Sequence, residues 1–497
     1  MDAAEKVKIK QVLKPLDEAA LDGARCAVLL LGPDATSGYP FEALLKQRLK
    51  DKGKTKLGNG VMTLDVPTKA YTRLTVARVS TSSSTYDLLT LCRKLIAPLL
   101  DLKPADIAVG LYGMDAALAR RVAETLQAAL FAAVFALPTY KKEKPSPPPL
   151  KSLTLYGLEL RLDFSRVRAE ASGNNLAREL TSLPPNYLTP EHYRRRIAEL
   201  AKQRGWRYRF LDRKALEKLG AGAFLAVAQG HPSGQAGIVH LQYRPGKRQI
   251  KRPDLALVGK GVCFDTGGNN LKPAKSMHGM HEDMEGSAVA LGTLLALTEL
   301  KSNFAVDAWL ALSENMIGPL AYKQNDVVTA LDGTTIEIVH TDAEGRMLLA
   351  DTLALAARDK PRLIVDYATL TGACVYALGT RYSGVFTNRL ALLDDVVIAG
   401  RDSGERVWPF PMDEDYDDEL DSKVADIKQC TLGGEADHIL AARFLKRFVA
   451  DTPWLHVDLS AGNNKGGLAH IPSDITGFGV RFTLELLLSR QVLRKLA

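Results

Sequence analysis

The sequence predicts an α/β protein of two domains, the smaller spanning residues 1–180 and the larger spanning residues 181–497. Three observations carry this. The chain has 497 residues, more than one core of ordinary size accommodates. Hydrophobic residues make up 46% of it, enough to bury two cores. Short apolar runs of strand length alternate with amphipathic stretches of helical length along the chain.

The elements follow in order. Residues 26–31 are a short apolar run ending at Gly32-Pro33, a strand followed by a turn. Residues 41–50 are amphipathic at helical spacing, 74–79 read as a strand and 86–100 as a helix. Residues 107–111 form the next strand and 116–136 a long helix. The charged, proline-rich run 141–149 is a stiff, solvated stretch. The strand-like run 153–158 directly after it makes it a surface loop of the first domain rather than a linker. The better boundary lies at residues 183–190. There Pro184 and Pro185 break the preceding helix, and Thr189-Pro190-Glu191 forms the cap and first turn of the next. Beyond it the strands 255–258, 305–312, 363–367 and 455–459 alternate with helical segments, and no internal repeat is visible.

The formal charge of +8 is spread along the chain, which describes a solvated surface and gives no argument for nucleic acid as a partner. The one local basic feature is Arg194-Arg195-Arg196 with Lys202, Arg204, Arg207 and Arg209. The cysteines (Cys26, Cys92, Cys263, Cys374 and Cys430) are odd in number and form no C-x-x-C pair, which fits a reducing compartment. Residues 1–6 lack a basic segment followed by an apolar core. The longest apolar stretch, 126–137, is interrupted by Gln127 and falls short of the ~18 residues a membrane span needs. The expectation is a soluble, cytoplasmic protein with no membrane partner.

The chemistry concentrates in four short segments. Val258-Gly259-Lys260-Gly261-Val262-Cys263-Phe264-Asp265-Thr266-Gly267-Gly268 begins where an apolar strand ends, the place at which α/β enzymes hold ligands. A phosphate-loop reading of Gly259-Lys260 fails, because position 254 is Asp and position 261 is Gly. His340-Thr341-Asp342-Ala343-Glu344-Gly345-Arg346 follows the strand-like run 335–339 and leads into the helical run 347–357. Two carboxylates two residues apart on an extended stretch share a side and can converge on a metal, although alone they would read as a cap or a surface pair. Between these segments lie Leu271-Lys272-Pro273 and Met280-His281-Glu282-Asp283-Met284.

Taken together, these blocks resemble the leucine aminopeptidase family, which reads roughly G-K-G-x-x-F-D-[ST]-G-G, K-P, M-x-x-D-M and N-T-D-A-E-G-R in that order. Thr369-Leu370-Thr371-Gly372-Ala373-Cys374 is similar to the family's substrate-pocket stretch. Trp454-Leu455-His456-Val457-Asp458 and Thr476-Gly477-Phe478-Gly479-Val480 are similar to its C-terminal signatures. The resemblance covers residues 180 to 485 or so and leaves the first domain matched only in general character.

What the resemblance implies is specific. It implies a mixed central sheet flanked by helices in the larger, catalytic domain. It implies a metal-dependent aminopeptidase that removes an N-terminal leucine or other apolar residue from short peptides, by attack of a water or hydroxide bridging two divalent ions. One ion would be held by Asp265, Asp342 and Glu344, the other by Lys260, Asp265, Asp283 and Glu344. The substrate's amino group would bind the ion that Lys260 ligates. Four carboxylates then balance the charge of two divalent cations, whereas an unoccupied cluster would repel itself. A metal-bound Lys260 must be neutral, and taking its proton at pH 7 costs ~4.6 kcal/mol from an ordinary lysine pKa of about 10.4. Lys272 would stay charged and face the substrate carbonyl oxygen, and Arg346 would anchor a bicarbonate acting as general base. Met280, Thr369, Leu370 and Gly372 would line the substrate pocket. An oxygen-rich site suits Mn²⁺ or Zn²⁺, with Mg²⁺ or Co²⁺ as further choices.

His278 and His281 lack the H-x-x-x-H spacing of helical zinc proteases and are expected beside the site. Three departures stand out: His340 where the family has Asn, Glu285 where it has a small residue, and Leu459-Ser460-Ala461-Gly462-Asn463-Asn464. The resemblance also implies a homohexamer with its sites facing an inner cavity. Two other readings remain open, a dinuclear hydrolase of another ester or amide, and an aminopeptidase with an accessory DNA-binding role.

Overall fold

The computed structural model describes residues 6–55, 57–58, 60–143, 149–231, 235–246 and 252–496. The predicted surface loop therefore falls partly, at residues 144–148, outside the described residues, as do residues 1–5 at the start of the chain. Two compact units are present. One comprises the chain up to Ser172 together with Lys465–Asp474, the other Gly173–Asn464 with the remainder from Ile475.

The first unit is built on strands β1 (Lys8–Val12), β2 (Cys26–Leu31), β3 (Met62–Val66), β4 (Thr72–Arg78), β5 (Asp106–Tyr112) and β6 (Ser152–Tyr156). Their order is β1-β6-β5-β2-β4-β3, parallel throughout except where β3 runs antiparallel to β4. Every residue of β2 is buried, as its unbroken apolar run requires of a strand covered on both faces. Helices α1 (Thr85–Leu100) and α2 (Ala116–Val134) pack on each other. Ser84 and Asp115 cap them, accepting the N–H groups of Asp87 and Leu118.

Helix α3 (Ser165–Thr181) contains the division between the units. Helix α4 (Pro190–Arg204) starts as its sequence dictates, with Thr189 accepting the His192 N–H and Pro190 in the first turn. The second unit carries β7 (Arg207–Leu211), β8 (Gly237–Tyr243), β9 (Leu255–Asp265), β10 (Val306–Asn315), β11 (Val327–Thr329) and β12 (Thr335–Glu337). It continues with β13 (Leu363–Ala368), β14 (Ser383–Thr387), β15 (Val407–Pro409), β16 (Ile427–Lys428) and β17 (Trp454–Asp458). The main sheet runs β15-β14-β17-β13-β9-β10-β8-β7, and β11, β12 and β16 form a small separate one. The central strands β17, β13, β9 and β10 are parallel, while β8, β7 and β14 pair antiparallel, so the sheet is mixed.

Helices α5 (Glu285–Glu299) and α6 (Glu344–Arg358) both pack against β9. Strand alternation separates them. Ala256, Val258 and Val262 share a core with Met347, Leu349 and Leu353 of α6, whereas Gly259 and Gly261 lie against Ser287 of α5. Lys260, in phase with the first set, projects to the α6 side.

β9 is longer than its sequence predicts, running to Asp265 rather than ending at residue 258. Glycines flanking a lysine read as the end of a strand, but β10 continues to pair with β9 through Asn315 and Asp265. On the other edge, β13 pairs only as far as Tyr367 opposite Gly259. The last six residues of β9 are thus open on one side, at the C-terminal edge of the parallel strands.

Candidate functional site

Lys260 and Asp265 lie on this open end of β9, and the other candidate residues converge there from four separate stretches. Lys260 is 3% exposed and lies 2.8 Å from both Asp283 Oδ1 and Glu344 Oε1. Its Nζ also donates to the Thr369 carbonyl at 3.0 Å. Lys272 Nζ lies 2.9 Å from Asp265 Oδ2 and 2.5 Å from Asp342 Oδ1. One carboxylate oxygen each from Asp265, Asp342 and Glu344 lie within 4.8 Å of one another.

Asp342 and Glu344 do not face one way through the strand alternation that their spacing predicts. The stretch is not extended: Asp342 sits in a turn, closed by the Ala343 N–H donating to the His340 carbonyl at 3.1 Å, and Glu344 is the first residue of α6. Turn and helix start together bring both carboxylates to the site. Gly345 follows because a Cβ there would meet Lys260 Cε at 2.7 Å, so the lysine stem occupies the space of the missing side chain. Gly267, at φ 86°, turns the chain sharply after β9 and donates its N–H to Asp265 Oδ1 at 2.8 Å.

Beyond the predicted ligands, further side chains hold these groups in place, and of these Asn315 and Tyr322 were not singled out from the sequence. Asn315, at the end of β10, donates to Asp265 Oδ1 at 2.8 Å and to the Thr341 carbonyl at 3.0 Å. The Tyr322 hydroxyl donates to the same carbonyl at 2.6 Å. The Thr369 hydroxyl donates to Asp283 Oδ1 at 2.7 Å. Asp458 accepts the Leu370 N–H at 3.2 Å and the Thr371 hydroxyl at 2.6 Å, fixing the loop after β13.

Four carboxylates and two ammonium groups leave a formal charge of −2 in this cluster, and the ionisations respond. Burial, then Asp265 and Glu344, push Asp342 up to about 7 despite Lys272 beside it. Burial pushes Asp283 well above the carboxylate range, and Glu344 is raised by burial and by Asp265. Burial disfavours charge on Lys260, but Asp283, Glu344 and Asp265 outweigh it and hold its pKa above the ordinary lysine value. Lys272 shifts the same way through Asp265, Glu344 and Asp342. Asp283 Oδ2 and Glu344 Oε2 are buried without a hydrogen-bond donor among the described residues. Acceptors so placed, in an excess of negative charge, could hold a hard or borderline divalent cation.

A cleft of about 700 Å³ opens over the cluster, lined by these residues and by Met280, Thr369, Leu370 and Gly372. Arg346 lines it too: its Nη1 donates to the Gln429 carbonyl at 3.0 Å and its Nη2 to Asp437 at 2.8 Å, while its buried Nε has no acceptor among the described residues. His340 lines the cleft, and its Nδ1 accepts the Asp342 N–H at 3.2 Å. Burial and Lys272 lower its pKa, which favours the neutral ring. Ser460 and Asn463 from the departing C-terminal stretch are also on the wall, with Asn463 Nδ2 donating to Glu282 at 2.8 Å. His278 and His281 belong to no metal-holding group among the described residues.

Elsewhere, His240, Asp307 and Asp359 cluster, but there Arg244 neutralises Asp307, which also accepts from His240 at 2.8 Å and Gln242 at 3.1 Å. That is an ion-pair network. Within the basic run, Arg194 lies over the Phe210 ring, Arg195 pairs with Glu191, Arg196 with Glu179 and Arg204 with Glu299. The five cysteines are buried and free, and among the described residues no helix is long and apolar enough to cross a membrane.

Comparison with known proteins adds an independent finding. Residues 175–484 match the catalytic domain of the cytosol aminopeptidase family. A protein of Nitrobacter winogradskyi named a probable cytosol aminopeptidase is 44% identical over 324 residues, covering 64% of this chain and 63% of that protein. A protein of the same name from Rhodopseudomonas palustris is 44% identical over 312 residues, 62% of this chain and 61% of that protein. The chain thus spans less than two thirds of the length of these two. Another, from Polaromonas sp., is 37% identical over 488 residues, 96% of this chain and 94% of that protein.

Proposed function

This chain belongs to the cytosol aminopeptidase family, and we propose that it is a metal-dependent aminopeptidase that hydrolyses the N-terminal residue, leucine or another apolar one, from short peptides. The observation that carries this reading is the convergence of Lys260, Asp265, Asp283, Asp342 and Glu344 with buried, unpartnered carboxylate oxygens in an acidic cleft. Asp265, Asp342 and Glu344 would hold one divalent ion, and Lys260, Asp265, Asp283 and Glu344 a second, with Mn²⁺ or Zn²⁺ the best matches and Mg²⁺ or Co²⁺ also accommodated. Such a pair supplies Lewis acidity, making water nucleophilic near neutral pH and polarising the scissile carbonyl.

The chain's own groups do the rest. Lys272 keeps its proton between Asp265 and Asp342 and presents a positive charge to the carbonyl oxygen as negative charge develops there. Lys260 would have to release its proton to serve as a nitrogen ligand, which would make loading depend on pH. Arg346, whose Nε has no acceptor among the described residues, would hold a bicarbonate that supplies a general base. Met280, Leu370 and Gly372 offer a wall suited to an apolar side chain, and Thr369 is tied by its hydroxyl and carbonyl to Asp283 and Lys260. Assembly as a homohexamer is part of the same proposal, and sedimentation of the purified protein tests it.

Leucine p-nitroanilide and p-nitrophenyl phosphate, assayed side by side with and without a chelator, decide the reaction. The expected result is amide hydrolysis that chelation abolishes and added Mn²⁺ or Zn²⁺ restores. Turnover of the phosphate ester alone would overturn the reading in favour of a different dinuclear hydrolase.

A further inference from the structure

We propose that Glu285 is a specificity-determining residue that fits the cleft to an N-terminal residue whose side chain ends in a cationic hydrogen-bond donor, lysine above all. This rests on the aminopeptidase reading and extends its substrate class from apolar N-terminal residues to one that carries a charge at the end of an aliphatic stem.

Glu285 opens α5, two residues after Asp283, and is 1% exposed. It nevertheless belongs to the cleft wall, together with Met280, Glu282, Ser460 and Asn463. The Gly477 N–H donates to its carboxyl group, but Oε1 has no donor among the described residues. Gly462 keeps the space the carboxyl group needs, since a Cβ there would lie 2.1 Å from Oε2. The charged groups acting on it are Glu282 and Glu405, both acidic. Glu282 is itself bonded by Asn463, and Glu405 Oε2 accepts the Gly479 and Phe482 N–H groups at 2.9 and 2.8 Å. None of the groups acting on it is basic.

An acid in the first turn of a helix favours the helix dipole, which accounts for a Glu at this position. It does not account for a carboxyl group buried among other acids with an oxygen left unmatched, an unfavourable arrangement in a chain alone. A ligand bringing its own positive donor offsets that cost. Met280, Leu370 and Gly372 suit a methylene stem, and the long aliphatic stem of lysine carries its ammonium beyond an apolar wall. Norleucine has the same stem without the charge and is the matched comparison.

The test measures kcat/KM for lysine and norleucine p-nitroanilides on the metal-loaded, full-length protein, for the wild type, Glu285→Gln and Gly462→Ala. Both substrates are read on one preparation, so any loss of metal at the neighbouring Asp283 cancels in the lysyl-to-norleucyl ratio. The wild type is expected to hydrolyse the lysyl substrate at least as efficiently as the norleucyl one. The ratio should fall about tenfold or more in Glu285→Gln, and also fall in Gly462→Ala, whose added methyl group displaces the carboxyl group. A wild type that prefers norleucine by more than about tenfold overturns the inference, and this comparison needs no variant to fold. A ratio unmoved by Glu285→Gln, with both substrates still hydrolysed, overturns it while leaving the aminopeptidase reading intact. Turnover of neither substrate by the wild type removes both.

Discussion

Gly345→Ala is the smallest change that tests whether Lys260 is a ligand. Gly345 is the second residue of α6, where alanine is favoured over glycine by at most about 1 kcal/mol, so the helix itself gains. The new Cβ, however, would lie 2.7 Å from Lys260 Cε and 2.9 Å from its Nζ. Carbon atoms in contact sit at about 3.5–4.0 Å, so the lysine must retreat by about 1 Å. A free lysine would do so at little cost. This one is held by Asp283 and Glu344 at 2.8 Å and by the Thr369 carbonyl at 3.0 Å, and a shift of that size breaks at least one of these contacts. Ligand distances in metal sites tolerate about 0.2 Å, and a misplacement of 1 Å costs on the order of 10²-fold in rate. The expected outcome is a loss of about 100-fold in kcat/KM on leucine p-nitroanilide and at least about tenfold weaker binding of one ion per subunit, with the melting temperature held. Metal content by elemental analysis after dialysis, with a thermal melt, reads both. A variant that keeps two ions per subunit and full activity would refute the ligand role of Lys260.

Other outcomes follow from the same geometry. Lys272→Ala should lower kcat by roughly 10²–10³-fold while metal content is kept, because the lysine stabilises charge on the substrate. Loss of the metal instead would assign Lys272 to holding the cluster together. Loading should depend on pH with a definite sign. Asp342, pushed up to about 7, and Lys260, held above the ordinary lysine value, both carry protons in the metal-free protein below neutrality and must shed them on binding. Apparent affinity therefore rises with pH, by up to about tenfold per unit for each proton released. Dialysis equilibrium between about pH 6 and pH 8 measures this, and an affinity flat across that range contradicts a lysine ligand.

Much of the fold was legible because local chemistry settles it. The apolar run 26–31 has no stable place other than a covered strand, and Thr189-Pro190 starts a helix by capping and by a fixed φ. Where local and tertiary signals compete, the sequence misleads. Gly259-Lys260-Gly261 reads as a strand end, yet β10 supplies hydrogen-bond partners beyond it and the strand continues. Asp342 and Glu344 share a direction for a reason their spacing did not reveal, since a turn runs into a helix between them. Asn315 and Tyr322 were invisible as site residues, because a lone polar residue acquires its role only from the carbonyl and carboxylate it meets.

From the sequence by itself came the α/β class, the family resemblance and the residue types that can hold a cation, since periodicity and side-chain chemistry are properties of short stretches. Which oxygens lack a donor, which glycine makes room for Lys260, and that Glu285 is buried among acids were decided only by the tertiary structure. Electrostatic energy and steric exclusion depend on separations of a few ångströms between segments far apart in the chain, and no local pattern encodes those distances.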